Sequence, residues 1–83
     1  MIINFVEIDG YPLAIEADQD DEALMKLEPR AYKICIEQGI HLYKGTNGIH
    51  YLLDQDGNVL AYGLQTIRAY IRFFILHEKF TLS

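Results

Sequence analysis

Two Asp-Gly dipeptides, Asp9-Gly10 and Asp56-Gly57, each separate apolar runs of strand length, and they constrain the fold more than any other feature of the sequence. Tight hairpin turns need φ above zero, which Asp-Gly tolerates, so strands near residues 2–8 and 11–17 are expected to pair around a two-residue type I′ turn. Matching Ile8 with Tyr11 sets Val6 against Leu13, Asn4 against Ile15 and Ile2 against Ala17, a mostly apolar face. Pro12 has no N–H to give a neighbour on its outer side, which predicts residues 11–17 at a sheet edge. Around the second dipeptide, strands near 49–53 and 59–62 flank Asp54-Gln55-Asp56-Gly57-Asn58, with Leu53 opposite Leu60 and Tyr51 opposite Tyr62. His41 to Lys44 reads as a further strand that turns at Gly45-Thr46-Asn47-Gly48.

Helical signals fill the gaps between these hairpins. Acidic residues with Asp at a cap position, followed by Ala23 to Leu27, predict a short helix over about 20–28, and Pro29 either ends it or opens a second helical turn. From Arg30 to Gln38 the apolar residues alternate with the strand period, yet Gly39 suits a helix C-cap; helix is favoured, with strand as the alternative. Leu64 to Lys79 carries the strongest helical pattern, with Leu64, Ile67, Tyr70, Ile71 and Phe74 expected to face the sheet. The tail, Phe80 to Ser83, either frays or adds a short strand. Asp9 to Ile15 also echoes Asp56 to Tyr62, through a ββα duplication or convergent turn chemistry.

These elements make an α+β fold, a small antiparallel sheet of hairpins packed against a C-terminal helix (64–79) and a shorter acidic-capped helix. At 83 residues one core in a single domain, 1–83, is the economical arrangement. Hydrophobic residues make up 51% and charged residues 23%, a globular rather than a disordered balance. Cys35 stands alone, so an internal disulfide is excluded and a reducing compartment is expected. No signal-peptide pattern and no apolar stretch near the ~18 residues of a membrane span is seen, so a cytoplasmic protein that does not bind membranes is expected.

Charge is polarised along the chain. Residues 1–28 hold eight carboxylates against Lys26, a balance of −7, whereas residues 29–83 hold six Lys or Arg against four carboxylates, +2. A nucleic-acid binder needs a basic excess, so direct nucleic-acid binding is not expected, and Arg68, Arg72 and Lys79 read as a solvated ridge. Asp54, Asp56 and Gly57 lack the calcium-loop pattern, His41, His50 and His77 lack zinc spacing, and no glycine-rich phosphate loop occurs. Cys35 with His41 or His50 sits in no nucleophile motif. Catalytic, cofactor-binding and metal-binding residues are therefore assigned to none, and the chain is read as non-enzymatic.

Two surfaces remain as candidates. On a helical wheel, Ala69, Phe73, Leu76 and Phe80 form a second apolar flank well away from Leu64, Ile71 and Ile75, more than one sheet can cover. Either the segment 30–38 or the tail covers it, or another molecule does, so the expected function is a protein–protein interaction module, a homodimer or a small docking subunit. The second surface is the acidic cluster Glu16, Asp18, Asp20, Asp21 and Glu22. Helix capping and solubility account for it simply. The alternative function is a small acidic inhibitor, of the kind mobile elements encode, that imitates nucleic-acid phosphates and binds a nucleic-acid-binding protein.

Overall fold

In the computed structural model, which describes residues 1–6 and 10–79, five strands form one antiparallel sheet in the order β1-β2-β3-β4-β5. The strands are β1 (Ile2–Val6), β2 (Pro12–Gln19), β3 (His41–Gly45), β4 (His50–Leu53) and β5 (Val59–Tyr62). Between β2 and β3 lie α1 (Asp21–Leu27) and α2 (Pro29–Glu37), and after β5 comes α3 (Leu64–Tyr70), which runs directly into a π-turn, Ile71–Ile75. This is the α+β arrangement expected. The Asp9 side of the first turn and the tail from Phe80 onward lie outside the described residues.

The first hairpin differs from expectation by one residue. Ile3 pairs with Ile15, Phe5 with Leu13 and Val6 with Pro12. A shift of one residue exchanges the faces of a strand. Here it groups Ile3 and Phe5 with Leu13, Ile15 and Ala17, and it keeps Asn4 off the apolar face, where the expected register would have put it. The expected pairs Asn4 with Ile15 and Ile2 with Ala17 are thereby replaced.

The edge prediction for residues 11–17 also needs correction, because β2 lies between β1 and β3. However, β3 pairs with β2 only along Ala17, Asp18 and Gln19. Pro12 sits beyond that segment, where a missing N–H costs no ladder bond on the β3 side.

In the second hairpin Tyr51 faces Tyr62 as expected, but Leu53 faces Val59 instead of Leu60, because a bulge falls between Leu52 and Leu53. The extra residue allows Leu60 and Ala61 both to pack in the helix-side core while Val59 joins the opposite face. Asp54 organises the turn: its carboxylate accepts from the backbone N–H groups of Asp56 and Asn58, both at 2.9 Å. Those bonds hold its carboxyl below the usual carboxylate value, the Asn58 N–H first among them.

Pro29 divides the helical region. A residue before proline is driven out of the α region, and Glu28 accordingly has φ −147° and ψ 83°. α1 ends there and α2 begins with Pro29 in its first turn, so both proposed roles of the proline are realised, and residues 30–38 are helical up to Glu37. Asp20 caps α1 by accepting from the Ala23 N–H at 3.2 Å. Gly39, at φ 73°, closes α2, and the Ile40 N–H reaches back to the Cys35 carbonyl at 2.8 Å in a Schellman-type ending.

The sheet has a core on each face. α1, α2 and the terminal helix cover one face, enclosing Leu24, Ala31, Cys35, Ile40, Leu42, Leu52, Ala61, Ile67, Ile71 and Ile75. The other face buries Ile3, Ile15, Ala17, Tyr51 and Leu53, with Phe5, Tyr43 and Val59 packed alongside. β1 and β5 are at opposite ends of the strand order, yet the Phe5 and Tyr62 rings are 5.1 Å apart, so the sheet curls until its two edge strands nearly meet. The curl is what closes the second core without a second layer of helices.

Candidate functional site

The terminal helix is held on the sheet by three isoleucines, Ile67, Ile71 and Ile75, spaced four residues apart and all buried. Burial of each contributes about 2 kcal/mol. The π-turn makes this ladder possible. In α geometry each residue advances ~100° and a four-residue repeat drifts around the helix. An i→i+5 turn advances less per residue and reverses that drift, as the Leu76 N–H bonding to the Ile71 carbonyl at 2.9 Å shows.

The predicted inward stripe needs correction, and at Phe74, which lies within the π-turn, the widening is the cause. Ile67 and Ile71 do face the sheet, but Phe74 is rotated outward to 65% exposure, Leu64 is exposed, and Tyr70 is half-buried. Tyr70 and Phe74 pack on one another with ring centroids 4.8 Å apart. The helix ends at Ile75, with Leu76 as its cap, short of the expected Lys79: His77 adopts φ 55°, and the Glu78 N–H bonds back to the Arg72 carbonyl at 2.8 Å. A left-handed residue at this position is the usual way to stop a helix, and histidine tolerates it better than most side chains.

On the outer side, Gln65, Arg68, Ala69, Arg72 and Phe73 line a shallow groove of about 300 Å³. Ala69 is exposed and Phe73 is 36% exposed, whereas Leu76, assigned to the same flank, is half-buried against the helix-side core. Phe80, the fourth residue of that set, lies outside the described residues. The structure thus keeps Ala69 and Phe73 together on the outer surface and withdraws Leu76 from it.

Arg72 joins this groove to a buried carboxylate that no local sequence pattern singles out. Glu28, 3% exposed at the junction of α1 and α2, accepts from Arg30 Nε at 2.9 Å and from Arg72 Nε at 3.1 Å. Arg30 also pairs with Glu78 at 2.6 Å. The Arg30 guanidinium first, and then Arg72, hold the Glu28 carboxyl below the usual carboxylate value against the opposing effect of burial. The Glu28-Pro29 dipeptide predicts the kink. The partners come from 2 and 44 residues away, and no local pattern announces the second.

The residues of the acidic cluster have different partners and exposures. Asp20 is the α1 cap, and Asp21 is half-buried, accepting from the Leu42 N–H at 3.3 Å, lying 3.0 Å from His41 Nδ1 and taking a hydrogen bond from Gln19 Nε2. Glu16, Asp18 and Glu22 remain exposed; Glu16 meets the Met1 amino group at 3.2 Å and Glu22 meets Lys26 at 3.4 Å. Cys35 is fully buried, and burial, reinforced by the Asp21 charge, pushes its thiol up to about 11. Such a thiol is protonated at neutral pH, the opposite of an activated nucleophile. Among the described residues no cluster of three His, Cys, Asp or Glu side chains is placed to hold a metal ion, and no helix is long and apolar enough to cross a membrane.

No protein-family model, no curated protein and no solved structure matches this chain.

Proposed function

We propose that the protein is a non-enzymatic interaction module of the cytoplasm, a homodimer or a small subunit that docks on a larger protein through the outer side of its terminal helix. The observation that carries this reading is the groove beside Ala69 and Phe73, on a helix whose inner isoleucine ladder already completes the core. An exposed apolar surface on a small domain, rimmed by polar side chains, is a common mark of an interface. The protonated, buried Cys35 is consistent with a structural thiol in a reducing compartment and offers no support for covalent catalysis.

The acidic-inhibitor reading ranks second. Asp20 and Asp21 are committed to capping α1 and to Leu42 and His41, which leaves Glu16, Asp18 and Glu22 to imitate phosphates.

An Ala69→Asp, Phe73→Asp double variant tests the docking reading. Light scattering should show wild-type association above the 9.6 kDa monomer that the variant abolishes; for a docked subunit, the tagged variant should lose the complex that tagged wild type retains in its host. A strict monomer whose host associates are the same with and without the two aspartates overturns it.

A further inference from the structure

We infer that the groove on the terminal helix receives an acidic, apolar segment of another protein, with a carboxylate of the ligand on Arg68 and Arg72 and an apolar side chain between Ala69 and Phe73. This inference rests on the docking reading above and names the partner's chemistry. The argument begins with charge. The protein carries −5 overall, yet the charged residues lining the groove are Arg68 and Arg72, with no carboxylate among its described lining. The local sign is therefore opposite to that of the molecule.

The two arginines have different parts. Glu28, Arg30, Arg72 and Glu78 form a connected set whose charges cancel, so Arg72 adds little net field. Its contribution is direction: Glu28 holds Nε at 3.1 Å, which fixes the side chain and leaves its terminal N–H groups for an incoming acceptor. Arg68 is exposed, takes part in no ion pair among the described residues, and supplies a positive charge that none of them offsets. At a spacing of four residues the two lie one helical turn apart on the same side, a distance a single carboxylate or two neighbouring acidic residues can bridge.

A second copy of this chain fits the groove less well. A two-fold contact centred on it would bring Arg68 and Arg72 of one copy toward those of the other, and like charges at an interface oppose association. A carboxylate-bearing partner removes that repulsion, while the apolar contact beside Phe73 supplies most of the affinity.

The test is selection of a random dodecapeptide phage library on the immobilised full chain at low ionic strength, followed by binding of the enriched peptides to wild type, Arg68→Lys and Arg68→Glu. The expected result is enrichment of Asp or Glu beside Leu, Phe or Trp. Binding should weaken as salt rises, fall roughly ten-fold in Arg68→Glu, and be largely kept in Arg68→Lys. Enriched peptides that lack carboxylates, or that bind Arg68→Glu as well as wild type, overturn the inference; if Phe73→Asp still abolishes their binding, the docking reading survives. Failure to enrich any peptide overturns the inference too. If self-association is then found and is lost in Arg68→Glu, a second copy is the occupant.

Discussion

The inner and outer sides of the terminal helix differ in what their side chains are for. Ile67, Ile71 and Ile75 point inward, are buried among residues of α1, α2, β3, β4 and β5, and bind the helix to the sheet. Gln65, Arg68, Ala69, Arg72 and Phe73 point outward along a groove. One helix thus carries a buried ladder on one side and an exposed, mixed surface on the other, and the difference depends on the π-turn that keeps Ile75 in line with Ile67. Arg72 is the exception, since through Glu28 it belongs to both sides.

Truncating the inner ladder is the strongest way to break this comparison. Ile71→Ala should lower the unfolding free energy by about 3 kcal/mol in urea titrations, and a loss below about 1 kcal/mol would mean that the ladder is not what holds the helix.

The link between the two sides is probed by Glu28→Gln, expected to cost about 2 kcal/mol. That is less than the full penalty for breaking a buried pair, because both arginines reach partly into solvent. The pH dependence has a definite sign. The folded carboxyl titrates below its ordinary value of 4.5, so its stabilisation is complete above pH 4.5 and is lost as pH falls through the folded value. The stability difference between wild type and Glu28→Gln should accordingly be flat above pH 4.5 and shrink below it; a difference that grows on acidification contradicts the pairing.

The smallest effect is expected at the helix end. His77→Gly should raise stability by about 0.5–1 kcal/mol, since glycine accepts the φ of 55° without steric cost, and thermal melting detects it as an increase in Tm. A decrease would show that the imidazole itself makes a stabilising contact.

How much was legible beforehand varies with the range of the interactions involved. Strand-turn-strand units around Gly45–Gly48 and Asp54–Asn58 were readable because their turn residues lie within a few positions of one another. Pro29 and Gly39 marked helix ends for the same reason, since their φ preferences act on adjacent residues. The first hairpin was harder. Its register is set by which residues meet the curled sheet, and the observed one places Phe5 rather than Asn4 on the apolar face. On the terminal helix the exposure of Ala69 and Phe73 agrees with helical periodicity, while the packing of Leu76 against the core does not follow from a wheel drawn at constant pitch, which misses the π-turn.

By itself, the sequence determined the kinds of element present and most of their order, because turn chemistry, proline and periodicity act over one to four residues. Tertiary structure alone decided the register of the first hairpin, the phase of the terminal helix after Tyr70, and the pairing of Glu28 with Arg72. Each of these is a choice between locally near-equivalent arrangements, settled by contacts between residues far apart in the chain, where burial and charge pairing contribute more than backbone preference.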